Sequence, residues 1–176
     1  LLAEIYRDTG EFEKAAGAYE KALKCVDAPW QRIELARASM LVMAENYQEA
    51  ISCLSNVITE DLSIALPVES LKCTCYNSMG DYSKAEENAR SAIEKAESEG
   101  PEILENEYSA LLYNLYYDLA RAQWLQDQKS SKATVALMKS LEHTNGAPVP
   151  SLRLLREINA QKLTGDEKTL RLHLRA

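Results

Sequence analysis

The sequence predicts an all-α fold built as a stack of antiparallel helix pairs, and three observations carry that expectation. A short segment recurs at a fixed 35-residue spacing, glycine and proline are scarce (6 and 5 of 176 residues), and apolar residues fall at helical intervals. The recurrence weighs most. Gly10-Glu11-Phe12-Glu13-Lys14-Ala15, Glu45-Asn46-Tyr47-Gln48-Glu49-Ala50 and Gly80-Asp81-Tyr82-Ser83-Lys84-Ala85 each set a turn pair before an aromatic residue and, three residues on, an alanine. A period of this length marks a solenoid of similar helical units, in which each unit buries its apolar side on its neighbours.

The elements follow in order. Leu2, Ile5 and Tyr6 open an apolar helical pattern that Gly10 ends, glycine being the residue that turns left-handed without strain. Phe12, Ala15, Ala16, Tyr19, Ala22 and Leu23 line a second helix, and Asp27 with Pro29 in the first turn restarts the chain as a third, with Ile33, Leu35, Ala38, Leu41 and Val42 inward. Ala50, Ile51, Leu54, Val57 and Ile58 line a fourth. Pro67 opens a fifth carrying Val68, Leu71, Cys75 and Tyr76, and Tyr82, Ala85, Ala89, Ala92 and Ile93 line a sixth that ends near Gly100.

These units resemble the tetratricopeptide repeat, a helix-turn-helix of about 34 residues. Its helix-A aromatic matches Tyr6 and Tyr76, with Leu41 between; its small helix-A residue matches Ala3, Ala38 and Cys73; its turn residue matches Gly10 and Gly80, with Glu45 departing and Asn46 beside it. The first helix-B alanine matches Ala15, Ala50 and Ala85, the later bulky position Tyr19, Leu54 and a reduced Ala89, and the last small position Ala22 and Ala92, with Val57 between. The usual terminal proline is absent from all three. The resemblance implies a right-handed superhelix, a tetratricopeptide-like α-solenoid.

Beyond Gly100 the register slips. The fourth alanine is Ala133, 48 residues after Ala85 and so 13 beyond the period, with Trp124 as the helix-A aromatic. Pro101 begins the lengthening, a helix from about Glu102 to Gln126. Asn145-Gly146-Ala147-Pro148 is a break, Ser151 caps a helix to about Leu163, and Gly165 falls at a turn position. The expected domains are repeats over 1–146 (about 1–26, 29–61, 67–99 and 102–145, the first truncated, the fourth lengthened) and a degenerate fifth repeat or capping pair over 147–176. The first unit lacks the front of its helix A, so a piece of a longer superhelix, or part of a complex, is expected.

Composition excludes several function classes. A net charge of −7 disfavours a nucleic-acid surface, no run of 18 apolar residues occurs, and the N-terminus has no signal-peptide pattern, which points to a cytoplasmic or nuclear setting. Cys73 and Cys75 lie two apart on one helix and face different sides, and His143 and His173 are remote from the cysteines in sequence, so no metal site is expected. Cys25, Cys53 and Cys73 fall at inward or near-inward positions. Glu86-Glu87 and Glu97-Ser98-Glu99 read as solvated helix faces, Arg90 standing four residues after Glu86. No phosphate loop, nucleophile elbow or zinc-protease motif occurs, and neither catalytic residues nor a cofactor are expected.

In the resemblance, helix A of each unit lines a concave groove that takes a peptide or amphipathic helix of another protein. Here the matching residues are Arg7, Leu35, Ser39, Met43, Ser70, Leu71, Thr74, Asn77, Asp118 and Ala122, a mixed apolar and small-polar set. It has no lysine, so the family's clamp for chaperone C-terminal carboxylates is missing. In the aromatic helix, Tyr113, Tyr117 and Trp124 form an inward stripe, while Tyr108 and Tyr116 lie on other faces, as core or as a second interface. The expected function is a non-catalytic interaction scaffold. The alternatives are a sensor or regulatory arm of a larger signalling or transcription protein, a structural subunit of a multiprotein assembly, and an accessory to an enzyme.

Overall fold

The computed structural model describes residues 2–25, 29–98, 108–128, 131–143 and 149–165, with side chains throughout these except for Val149 and residues 161–165. The described residues form helices and no strand: α1 (Leu2–Asp8), α2 (Phe12–Ala22), α3 (Trp30–Met43), α4 (Tyr47–Asn56), α5 (Leu62–Met79), α6 (Tyr82–Glu97), α7 (Ser109–Gln126), α8 (Lys132–Glu142) and α9 (Val149–Gly165). None is long and apolar enough to cross a membrane. Asp27, residues 99–107 and the Asn145–Pro148 break lie outside the described residues, as does everything after Gly165.

Each turn of the 35-residue echo is built the same way. The last carbonyls of α1, α3 and α5 accept from amides beyond the helix: Tyr6 from Glu11 at 2.8 Å, Leu41 from Asn46 at 2.8 Å, Tyr76 from Asp81 at 2.9 Å. This closure needs one left-handed residue. Gly10 (φ 77°) and Gly80 (φ 81°) supply it freely, and Glu45 is forced into it at φ 61°. An acid then pins a lysine over the helix-A tyrosine. Asp81 pairs with Lys84 at 2.6 Å and Lys84 sits 5.7 Å from the centre of the Tyr76 ring, as Glu11, Lys14 and Tyr6 do seventy residues earlier.

The pairs stack in chain order. We call α1, α3, α5 and α7 the A helices and α2, α4, α6 and α8 the B helices. Each B helix packs on its own A helix and on the next one, α3 touches α5 and α5 touches α7, and no B helices make comparable contact with one another among the described residues. From α3 onward the A helices therefore touch one another, while among the described residues the B helices do so to no comparable extent. Ala15, Ala50, Ala85 and Ala133, one on each B helix, expose no surface. In α9 the packing pattern repeats: it lies on α8 and α7, as α5 lies on α4 and α3.

Two apolar cores meet at α5. One joins Ala15, Ala38, Leu41, Leu54, Val68 and Cys75; the other joins Leu66, Cys73, Ile93, Leu115, Trp124, Leu137 and Ile158. Cys73 and Cys75 do point to opposite sides, each into a different core. With both flanks covered, α5 buries two sides rather than a single stripe.

Three expectations are corrected. Pro67 does not open α5, which starts five residues earlier because the Asp61 carboxylate accepts the Ser63 amide at 2.9 Å; a proline in the second turn forfeits only one backbone bond. Ile58 lies beyond the end of α4 and is 83% exposed. Ser151 is not a cap. It is wholly buried in the first turn of α9, its hydroxyl 2.9 Å from that of Ser140 and donating to the Tyr113 hydroxyl at 3.2 Å, which fastens α9 to α8 and α7.

Candidate protein-binding face

The expected groove residues divide sharply in their exposure. Arg7 is exposed and pairs with Asp8 at 2.9 Å, while Leu35 and Ser39 are half-buried. Met43, at the end of α3, is 56% exposed. Leu71 is half-buried and leans on the first core.

The remaining members leave the surface. Ser70, Asn77, Asp118 and Ala122 are buried, because α5 and α7 pack directly against each other at this level. The Asn77 amide donates to the Asp118 backbone carbonyl at 2.9 Å and to its carboxylate at 3.2 Å, and the half-buried Thr74 hydroxyl donates to the same carboxylate at 2.9 Å. Burial pushes the Asp118 carboxyl up from 3.8 to about 6, against the hydrogen bonds from Thr74 and Asn77 that favour its ionised form. This trio joins two repeats and presents little to a partner.

The two tyrosines offered as a second interface sit in the second core. Tyr108 is partly buried against it, immediately before α7. Tyr116 is 3% exposed; its hydroxyl donates to Glu97 at 2.5 Å and accepts from Lys139 at 3.3 Å, and its ring stacks on His143 with centres 5.7 Å apart. Burial and the Glu97 bond raise its phenol far above the usual range. Of the expected stripe, Trp124 is buried, whereas Tyr113 and Tyr117 are only half-buried. The inward face of α7 is turned so that Tyr116 takes the place given to Tyr117.

The Glu86 carboxylate and the buried thiols are shifted away from the ranges that acid–base or nucleophilic work needs. Burial alone would raise the Glu86 carboxyl, but bonds from Arg90, Gln123 and Gln126 hold it below its ordinary range. Burial pushes the Cys53 and Cys75 thiols up to about 11 and that of Cys73 higher still, whereas a nucleophilic thiol needs the reverse. Cys25 is exposed, contrary to its expected inward place, because α2 ends at Ala22 and the chain bends away. No cluster of three metal-ligating side chains occurs among the described residues.

One charged feature escaped the sequence reading. Arg37 reaches Glu49 at 2.7 Å, Glu34 at 3.8 Å and Glu20 at 3.9 Å, joining α2, α3 and α4, and Glu34 is buried. Thirty-five residues on, Lys72 pairs with Glu69 at 2.9 Å, and Glu69 also takes the Asn88 amide at 2.6 Å. The same period that reveals the alanines carries this pair, but an acid and a base three apart on a helix look like an ordinary solvated couple.

The profile of the tetratricopeptide repeat matches residues 1–28, which hold α1, the Gly10 turn and α2. No curated protein and no solved structure matches the chain. That match, the all-helical stack and the recurring turn are consistent with a tetratricopeptide-like helical repeat fold, and repeats of that family generally serve protein–protein interaction.

Proposed function

We propose that the chain is a non-catalytic scaffold that holds a peptide or amphipathic helix of a partner protein along the A-helix face, at the end formed by α1, α3 and α5. The observation that supports this is the exposure of Met43, a large apolar side chain 56% exposed at helical spacing from half-buried Leu35 and Ser39. Arg7 and Met43 are exposed, and Leu35, Leu71 and Thr74 are half-buried. Such a face suits apolar anchors of an amphipathic partner. With a net charge of −7 the partner is a protein rather than a nucleic acid.

The test is capture of a partner by the intact protein, followed by Met43→Asp and Leu35→Asp. Loss of binding with an unchanged circular dichroism spectrum is expected. Val135 and Met138, 57% and 59% exposed on α8, favour a second reading: a structural subunit docking by its B-helix edge. If Val135→Asp with Met138→Asp removes the partner while the α3 substitutions do not, that reading holds and the groove reading fails.

A further inference from the structure

Between α5 and α7 the seam of A helices is shut by the bonds from Thr74 and Asn77 to Asp118. Between α7 and α9 it is not. There α9 is held through Leu154 and Ile158 in the second core and through the Ser151 hydroxyl on Tyr113. Beside those contacts the helices part into a cleft of about 640 Å³. Tyr117, Arg121, Trp124 and Leu125 face it from α7, at the spacing of one helical side, and Arg153 and Glu157 face it from α9.

The lining brings two guanidinium groups beside aromatic side chains. Neither Arg121 nor Arg153 has an ion pair among the described residues, and the single acid in the cleft is Glu157. A net positive, aromatic-walled cleft therefore stands in a chain whose net charge is −7. Guanidinium groups bind carboxylates in two-pronged fashion and stack on aromatic faces. A polyanion such as nucleic acid would meet repulsion from the acidic repeats that precede α7, whereas a short segment with a few carboxylates and an apolar side chain would fit the walls. A volume of this size is within the range of sites that enclose small ligands and peptide side chains.

We propose that this cleft docks an acidic peptide segment of a partner protein, its carboxylates on Arg121 and Arg153 and an apolar side chain against Tyr117 and Leu125. The site is separate from the α1–α5 face and does not depend on it.

Trp124 supplies the readout. The chain has two tryptophans, so Trp30→Phe leaves Trp124 as the only emitter. The probes are an acetylated Asp-Glu-Leu-Phe-Glu peptide and its neutral Asn-Gln-Leu-Phe-Gln counterpart. The acidic peptide should shift the Trp124 emission and bind at least tenfold tighter than the neutral one at low salt. Arg121→Gln with Arg153→Gln should weaken it at least tenfold, Glu157→Gln should strengthen it, and Met43→Asp should leave it unchanged. Absence of binding at millimolar peptide, equal affinity for the neutral peptide, or indifference to the double arginine substitution would each overturn the proposal, while leaving the α3 face untouched.

Discussion

Asn77 on α5 and Asp118 on α7 are joined twice, the amide of the first reaching both the backbone carbonyl and the carboxylate of the second at 2.9 and 3.2 Å. They are 41 residues apart and both are buried, so the bonds form only when the third and fourth repeats are stacked. The Asn77 side-chain oxygen has no hydrogen-bond partner there. The pair thus fixes one repeat on the next at the cost of a buried charge.

The pH dependence of that charge has a definite sign. The folded Asp118 carboxyl lies at about 6 rather than 3.8, so the fold favours the protonated acid. This contribution is fully present below 3.8 and is lost as pH rises through 6, a change on the order of 2–3 kcal/mol. Asp118→Asn keeps an acceptor for Thr74 and Asn77, removes the charge and brings an amide near the unpartnered Asn77 oxygen. Its melting temperature should exceed the parent's above pH 6 and the advantage should vanish toward pH 4. A difference that stays constant from pH 4 to 8 would show that Asp118 is not titrating in the seam.

Glu45 predicts a gain. It stands at φ 61° where the other two repeats use glycine, and a left-handed residue with a Cβ costs roughly 1–2 kcal/mol. Glycine also loosens the unfolded chain, so the net benefit of Glu45→Gly should be about 0.5–1 kcal/mol. The converse is Gly10→Ala, where a Cβ would meet nothing within 4 Å and the backbone angle alone sets the penalty. Urea unfolding should move the two variants in opposite directions. A destabilised Glu45→Gly would mean that the glutamate side chain contributes something its exposed position does not reveal.

The Arg37 cluster predicts a loss that a second change repairs. Arg37→Met leaves Glu34 buried without its cation, which should cost about 3–5 kcal/mol. Adding Glu34→Leu removes the orphaned charge and should recover most of it. A loss below about 1 kcal/mol for Arg37→Met alone would show that Glu34 finds water.

Part of this was readable in the chain and part was not, for physical reasons. Ala15, Ala50, Ala85 and Ala133 were legible because a helix–helix approach that tolerates only a methyl group leaves the same letter at each period. The left-handed turn was legible from Gly10 and Gly80, and Glu45 could be placed by register though its identity argues against the conformation. The closure of the groove at Asn77 and Asp118 was not legible. Register places both on the A-helix side, but it does not say whether two A helices touch or gape. The cleft between α7 and α9 escaped for the same reason, since Arg121 and Arg153 are unremarkable until the seam opens between them.

Ala85 tests the register itself. It exposes no surface, lies at the same place as Ala15, Ala50 and Ala133, and sits where α6 closes on α5. Ala85→Trp puts an indole into that contact, and overpacking of a tight core costs typically 1–3 kcal/mol or more. Ala110→Trp makes the same chemical change at an exposed site on α7 and should stay within about 0.5 kcal/mol of the parent. Because each repeat leans only on its neighbours, the damage from Ala85→Trp should also be local. Hydrogen exchange should accelerate first in α5 and α6 and only weakly in α2. Uniform acceleration across all helices would mean that the stack unfolds as one block, and an unmoved melting temperature would mean that the helices do not meet at Ala85.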